Sequence, residues 1–191
     1  MTLPSKSDLV TILKKYLEVY PNESQRQISI AAYFERNESH QLYTRKNFDG
    51  HLTASAFVLD RQKRCLLLIQ HRSLGKWLQP GGHIDASDHS ILAAAYREVE
   101  EETGISKDHL HLMQEDSKVP FDIDSHHIPA NPNKEEDSHF HHDIRFLFQY
   151  TGENDIIINI EESEDYKWIP LIDLESDSIF GNMVTKIRDS F

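Results

Sequence analysis

Two short apolar segments on either side of a charged turn limit the possible folds of this 191-residue chain more than any other feature. The first segment, LTASAFVLD, covers residues 52–60, and the second, CLLLIQ, covers residues 65–70. Apolar runs of this length are typical of buried strands, and the turn RQKR between them indicates a hairpin. Further strands are predicted at IRFLFQY, DIIINI and DYKWIP, which are residues 144–150, 155–160 and 165–170. Hairpin strands interleaved with helices favour an α/β fold with a mixed sheet covered by helices.

A helical hairpin is predicted ahead of these strands. Apolar residues recur at helical spacing over residues 7–20, and Pro21 then ends the run. A second helix is expected to reach Arg36, and either Asn22 or Ser24 is suited to cap its first turn. The two helices are short enough to pack together as a pair.

The rest of the chain follows from this division. We expect an N-terminal helical extension over residues 1–46 and one main domain over residues 47–191. A third helix is predicted from Ser90 to Thr103, where Gly104 provides its C-cap. Residues 116–138 contain three prolines and many acidic residues, which predicts a long surface loop.

The charge balance and the cysteine content restrict the class of protein. The chain has 32 acidic residues against 20 lysines and arginines, a formal charge of −12, which argues against nucleic acid as a partner. A small anionic ligand would need a cation to accompany it. The single cysteine, Cys65, forms no internal disulfide, and no run approaches the roughly 18 apolar residues of a membrane span. A cytoplasmic location without membrane contact is therefore predicted.

The third predicted helix carries an unusual concentration of acidic side chains. Glu98, Glu101 and Glu102 are spaced i, i+3 and i+4, so they converge on one flank of the helix. Glu100 points elsewhere, and the apolar stripe that includes Val99 is turned toward the sheet. The helix thus places three carboxylates together where it leaves the core.

Whether such a cluster binds a cation depends on its exposure to water. An exposed pair of like charges on a helix costs only about 0.2–0.5 kcal/mol, so most acidic faces are merely solvated. In a shielded cleft, two carboxylates about 6 Å apart would repel by roughly 3 kcal/mol. A divalent cation would turn this repulsion into binding, and oxygen ligands favour Mg²⁺ or Mn²⁺.

The residues around the acidic helix resemble the signature box of the Nudix hydrolases. That box has a glycine, a variable stretch containing a glutamate, and then Arg-Glu-aliphatic-x-Glu-Glu-x-Gly-aliphatic. The matching residues here are Gly82, Arg97, Glu98, Val99, Glu101, Glu102, Gly104 and Ile105. The first half departs from the pattern, because eight residues separate Asp88 from Arg97 and His89 stands where the glutamate is expected. Asp88 is the residue that would replace this outer glutamate.

The resemblance implies a fold, a reaction and a set of site residues. The fold would be an α/β/α sandwich, and the reaction would be hydrolysis of the diphosphate linkage in a nucleoside diphosphate derivative or a related small molecule. Glu98, Glu101 and Glu102 would bind the metal together with the main-chain carbonyl of Gly82, and Arg97 would hold the carboxylates in place. Glu101 is the preferred general base. The other carboxylates considered for that role are Glu115, Asp116, Glu161, Glu162 and Glu164.

Other interpretations remain open from the sequence. The altered first half of the box is compatible with an inactive, Nudix-like sensor that binds a ligand in the same cleft. A diphosphate isomerase is disfavoured because Cys65 lies in an apolar strand. His139, His141 and Asp143 alternate along one predicted strand and suggest a transition-metal site, although pocket-lining or solvent-exposed histidines are the simpler interpretation. The apolar N-terminal hairpin also offers a surface for a homodimer.

Overall fold

A computed structural model describes residues 3–132, 135–153 and 156–190 of the chain. The described helices are α1 (Lys6–Val19), α2 (Ile28–Arg36), α3 (Ile91–Thr103), α4 (Leu171–Leu174) and α5 (Gly181–Ser190). The described strands are β1 (His51–Asp60), β2 (Cys65–His71), β3 (Lys76–Leu78), β4 (Gly81–His83), β5 (Leu110–Leu112), β6 (Asp122–Ile128), β7 (His139–Tyr150) and β8 (Ser163–Pro170). The predicted hairpin corresponds to β1 and β2, which pair antiparallel with Leu59 opposite Leu66.

The strands form one mixed sheet around a central parallel pair. Five strands run in the order β3-β2-β1-β7-β5, while β4 pairs with β1, β6 with β7 and β8 with β2. Strands β1 and β7 are parallel, with His51 opposite His141, whereas the other pairs are antiparallel. The predicted mixed sheet is confirmed.

Helices cover both faces of this sheet, because both faces of β1 are apolar. Side chains such as Ala54 and Val58 pack in one core with Val99 of α3 and with residues of α1 and α2. The alternate side chains, including Phe57 and Leu59, pack in a second core with α4 and α5. Since successive residues of a strand face opposite sides, these two cores define the two outer layers of an α/β/α sandwich.

The N-terminal hairpin is attached to the first core. Ser5 and Asp8 form a capping box at the start of α1, which satisfies backbone donors that the helix leaves unpaired. Tyr33 of α2 is fully buried, and its hydroxyl donates to the main-chain oxygen of Gly50 at 2.9 Å. The predicted N-cap of α2 is wrong, because a 3₁₀ turn at Pro21–Glu23 carries the chain past Asn22 and Ser24 before the helix begins.

Two predictions for individual segments are also wrong. Residues 116–138 contain strand β6, which pairs with β7 and aligns Ile123 with Ile144. Within DIIINI, residues 156–160 form no strand, and Ile157 and Ile160 are each 74% exposed; residue 155 lies outside the described part of the chain. None of the helices in the described ranges is long and apolar enough to span a membrane.

Candidate active site

The end of β4 and the side of α3 form the candidate active site. Ser90 begins α3, where its hydroxyl accepts a hydrogen bond from the Ala93 amide at 3.0 Å. Gly104 ends the helix with φ +70°, a conformation that glycine adopts without the strain a side chain would cause. Both caps agree with the predicted boundaries, so the helix presents its carboxylates as the sequence indicated.

Gly82 allows the backbone of β4 to approach α3 closely. A Cβ atom on Gly82 would lie 2.7 Å from a carboxylate oxygen of Glu98, closer than side chains normally pack. The neighbouring Gly81 amide donates to Oε2 of Glu102 at 2.8 Å. The two glycines therefore bring main-chain atoms against both carboxylates, a contact that a larger residue at Gly82 would prevent.

Glu98 and Glu102 are buried carboxylates with perturbed acidity. Their residues are 7% and 3% exposed, respectively. Burial raises the pKa of Glu98 to about 7, although the charge of Arg97 opposes this effect. Burial also raises the pKa of Glu102 to about 8, against the hydrogen bond from Gly81 and with added repulsion from Glu98. The two carboxylates thus have too little positive charge near them to be fully ionised at neutral pH.

Arg97 organises the outer side of this cluster. Its Nε and Nη2 atoms donate to the two carboxylate oxygens of Asp88 at 3.1 and 2.9 Å. Its Nη1 atom donates to both Glu98 and Glu101 at 2.9 Å, and Nη2 also donates to the main-chain oxygen of His83 at 2.9 Å. These charge-assisted bonds raise the pKa of Arg97, and the largest cause is the hydrogen bonding of Arg97 to Asp88.

Asp88 takes the position of the outer acid despite the extra residue in the loop. Its Oδ2 atom accepts from the Asp85 amide at 2.8 Å, which closes the loop ahead of α3. Burial would raise the pKa of Asp88, but the hydrogen bonds from Arg97 and Asp85 hold it below its usual value. His89, in contrast, is exposed. The geometry therefore pairs Asp88, and not His89, with the arginine.

The remaining acids of the helix are more open to water. Glu101 has 55% of its side chain exposed and reaches the cluster through Arg97, whereas Glu100 is exposed on another side of the helix. Among the alternative bases, Glu162 is the one whose charge raises the pKa of both Glu98 and Glu102. Asp116 instead forms an ion pair with Lys15 at 3.0 Å.

The donor set suits a hard divalent cation. Two buried carboxylates, an exposed third carboxylate and a glycine carbonyl offer oxygen ligands only, which Mg²⁺ and Mn²⁺ prefer. The raised pKa values of Glu98 and Glu102 indicate where positive charge is lacking. The residues present therefore fit such an ion by chemistry and by charge.

A second group of polar side chains lies on the opposite face of the sheet from α3. Ring nitrogens of His51, His83 and His141, one from each residue, lie within 4.8 Å of one another. Burial lowers the pKa of His51 to about 4, with smaller contributions from neighbouring His83 and His139. Of these three histidines, only His141 was evident as a candidate from the sequence, because the strands that supply the other two pair at long range.

An α/β/α sandwich in which a Gly-Gly strand precedes an Arg-Glu-x-x-Glu-Glu helix defines a Nudix-type domain. A family model described as the NUDIX domain matches residues 49–185. The chain belongs to the Nudix family, and it is an enzyme, a Nudix-type pyrophosphohydrolase.

Individual relatives agree with this assignment. A protein of Lactococcus lactis subsp. cremoris (strain MG1363), named as a probable DHNTP pyrophosphohydrolase, is 31% identical over 142 residues, which cover 74% of this chain and 78% of that protein. The crystal structure of a C. elegans Ap4A hydrolase binary complex has a TM-score of 0.55 at 22% identity and covers 72% of this chain and 95% of its own. The structure of the E. coli dihydroneopterin triphosphate pyrophosphohydrolase has a TM-score of 0.54 at 16% identity, and the match covers 71% of this chain and 92% of that one. These two solved structures have the same fold as this chain.

Proposed function

We propose that this enzyme hydrolyses a diphosphate linkage in a small phosphorylated molecule with the help of Mg²⁺ or Mn²⁺. The ligands would be Glu98, Glu101, Glu102 and the carbonyl of Gly82. The observation that carries the proposal is the burial of Glu98 and Glu102 beside one another, with pKa values raised to about 7 and about 8. Their positions on the helix suit a cation, and an anionic substrate would otherwise be repelled by this acidic chain.

The protein's own residues would divide the remaining work. When bound, the cation would neutralise phosphate oxygens and activate the attacking water. Arg97 acts as a positioning residue, because it holds Glu98 and Glu101 while Asp88 holds its guanidinium in turn. The Gly81 amide fixes one oxygen of Glu102. A preorganised set of ligands avoids the cost of arranging flexible carboxylates during the reaction.

The general base would be Glu101 or Glu162. Glu101 is partly exposed and lies next to the ligands, so it is within reach of water. Glu162 is exposed and close enough for its charge to affect both buried carboxylates. A base at either position takes the proton of the attacking water, which typically contributes about 10²–10⁴ in rate.

Dihydroneopterin triphosphate is the proposed substrate to test first. The support is the Lactococcus relative, which is similar over most of both chains and is named for DHNTP. Attack of water on the first phosphorus atom, with cleavage of its bond to the oxygen that bridges to the second, would release pyrophosphate and leave a monophosphate. A dinucleoside polyphosphate is the second candidate, suggested by the name of the C. elegans structure, whose likeness extends only to the fold.

A substrate panel tests the proposal. Dihydroneopterin triphosphate, Ap4A and ADP-ribose would be incubated with the purified chain and Mg²⁺, and the products separated by chromatography. We expect Mg²⁺-dependent release of pyrophosphate from the pterin, abolished by EDTA. Turnover that is unaffected by EDTA would contradict the metal requirement, and turnover of another compound in preference to the pterin would reject the substrate. Binding of these compounds without turnover would instead support the sensor.

Three broader proposals accompany this function. We place the boundary between the helical extension and the catalytic domain at residues 46 and 47, and we place the enzyme in the cytoplasm, because its one cysteine forms no internal disulfide. A homodimer would use the exposed apolar residues of the hairpin, such as Val19 and Ile28, since Leu9 and Leu13 pack within the chain's own core.

A further inference from the structure

Three histidines that are distant in the sequence converge beside the candidate active site. His51 begins β1, His83 ends β4 and His141 lies in β7. The parallel pairing of β1 with β7 aligns His51 with His141, and the antiparallel pairing of β4 with β1 aligns His83 with Thr53. Directly aligned residues face the same side of a sheet, as do residues two apart in a strand, so all three rings share one face.

This face is separate from the carboxylate site. Gly82 is turned toward Glu98, and His83 follows it in the strand, so the His83 side chain points to the other side of the sheet. The two sites are nevertheless linked through the backbone, because Arg97 donates to the main-chain oxygen of His83 at 2.9 Å.

From this geometry we propose that His51, His83 and His141 form a second metal site, one that binds a first-row transition ion such as Zn²⁺. The Nε2 atoms of His51 and His83 are 3.1 Å apart. Two nitrogens bound to one tetrahedral zinc ion at about 2.0–2.1 Å are separated by about 3.3 Å, so this pair needs little rearrangement. One suitable nitrogen of His141 lies within 4.8 Å of both, and a modest rotation of its ring would complete three ligands.

A metal binds the neutral form of an imidazole. The hydrogen bond between His51 and His83 needs a proton on one of the two Nε2 atoms. On metal binding, that proton would move to Nδ1 of the same ring, so both rings stay neutral while both Nε2 atoms become ligands. Imidazole nitrogen favours zinc and its neighbours over magnesium, which distinguishes this site from the oxygen ligands on α3.

His139 is placed to orient one of these ligands. Its Nδ1 atom is 2.7 Å from the main-chain oxygen of Asp137 and must therefore donate to it. The Nε2 atom of His139 lies 3.2 Å from the Nε2 atom of His141, and the two rings share a hydrogen bond. This contact holds the His141 ring beside the ring nitrogens of His51 and His83. Such partners of metal-binding histidines fix the tautomer and the ring orientation.

Three protein ligands leave a fourth position open in a tetrahedral zinc site. That position would hold water or an anionic group of a ligand. The histidine site and the carboxylate site would differ in their ligands and in the ions they prefer. A substitution in one site should therefore leave ion binding at the other intact.

Titration of the metal-free, full-length chain with Zn²⁺ tests the site independently of activity. The titration would be done in the Glu98→Gln/Glu102→Gln background, which removes the two buried carboxylates of the first site. We expect a single Zn²⁺ to bind with an affinity that His83→Ala or His141→Ala lowers at least about a hundredfold, while His139→Ala lowers it about tenfold. The matched control is His127→Ala, an exposed histidine of β6 that should leave the affinity unchanged.

Co²⁺ provides a spectroscopic measurement of the same site. A tetrahedral, imidazole-bound Co²⁺ absorbs visible light far more strongly than an octahedral ion bound by oxygen. The Glu98→Gln/Glu102→Gln variant should therefore give the strong spectrum, and addition of His83→Ala to it should abolish that spectrum. Circular dichroism would establish that each variant is folded. If His51→Ala does not fold, the variants His83→Ala and His141→Ala, in which the replaced residues are only half-buried, still test the site. Zinc affinity that is unchanged in His83→Ala and His141→Ala, or a weak cobalt spectrum in Glu98→Gln/Glu102→Gln, would overturn the proposal.

Discussion

Two clusters of buried charge in this protein differ in how their carboxylates are compensated. On β6, Asp122 is surrounded by three cationic side chains, with Arg145 at 3.2 Å, Arg26 at 3.2 Å and Lys186 at 3.3 Å. Burial alone would raise the pKa of Asp122, but these cations hold it below its usual value. On α3, Glu98 and Glu102 have pKa values raised to about 7 and about 8.

The difference separates a structural cluster from a binding site. In the Asp122 cluster, β6 is linked to the segment before α2 by Arg26, to β7 by Arg145 and to α5 by Lys186. The protein's own cations therefore balance the charge of this carboxylate. Among the residues that the structure describes, the α3 cluster has one cation, Arg97, which is shared with Asp88. Carboxylates that stay buried without sufficient positive charge destabilise the fold unless a ligand supplies it. Their placement is therefore explained by what they bind.

The largest predicted effect is on stability, from Asp122→Ala. Removal of this carboxylate takes a buried acceptor from Arg26, Arg145 and Lys186 at once, so the free energy of unfolding should fall by about 3–5 kcal/mol. Asp143 still pairs with Arg145, and Glu23 still pairs with Lys186. Urea denaturation measures the loss. The control is Asp116→Ala, which breaks the exposed pair with Lys15 and an exposed hydrogen bond from the Lys118 amide, and which should cost only about 1 kcal/mol. Equal losses in the two variants would remove the structural role assigned to the Asp122 cluster.

The next largest effect is on catalysis, from Glu102→Gln or Glu101→Gln. Each should lower the turnover number at least about a hundredfold, because a ligand or a base is lost, while the core stripe of α3 is untouched. Steady-state kinetics with the best substrate of the panel measures this change. Glu100→Gln, on an exposed part of the same helix, is the matched control and should retain normal activity. Normal turnover in both site variants would reject the assignment.

The pH dependence of stability should reveal the uncompensated carboxylates directly. An unfolded glutamate has a pKa of about 4.3, whereas burial raises that of Glu98 to about 7 and that of Glu102 to about 8. Metal-free folded protein therefore holds protons that the unfolded chain has released. This contribution to stability is fully present below the unfolded pKa and is lost as the pH rises through the folded values.

The comparison is between the wild type and Glu98→Gln/Glu102→Gln in EDTA. As the pH rises from 5 to 8, the stability of the wild type should fall relative to the variant, by at most about 1.4 kcal/mol per pH unit for each carboxylate. Saturating Mg²⁺ should abolish the fall in the wild type and have no effect on the variant. Parallel pH profiles in EDTA would show that the two carboxylates are not perturbed.

The smallest predicted effect concerns the replacement of the outer acid. Asp88→Asn removes the negative charge that Arg97 binds with two nitrogens. Because Glu98 and Glu101 still hold the arginine, turnover should fall only about tenfold, mostly in kcat. His89→Gln should have no effect, since His89 is exposed. A larger loss of turnover in His89→Gln than in Asp88→Asn would assign the outer position to His89.

The sequence predicted the elements whose signals are local. Strands β1 and β2 were evident from their apolar runs, and α3 from its caps at Ser90 and Gly104. The convergence of Glu98 and Glu102 also followed from helical spacing. These features depend on residues close together in the chain, so one sequence is sufficient to find them.

The features that were missed depend on partners far away in the sequence. Strand β6 is polar because Asp122 and Asp124 face Arg145 across the sheet, and that pairing is invisible without the register of β7. The isoleucines of residues 156–160 have high strand propensity but find no strand partner in the described structure, so propensity alone was misleading. The histidine cluster likewise required the pairing of β1 with both β4 and β7.

Crystals soaked in Mn²⁺ at slightly alkaline pH would test the central claim most directly, because manganese is located by its anomalous scattering. We expect an anomalous peak on α3 between the carboxylates of Glu98 and Glu102, within bonding distance of the Gly82 carbonyl, and no such peak in Glu98→Gln/Glu102→Gln. Wild-type crystals in which no manganese lies between these two carboxylates would contradict the proposed site.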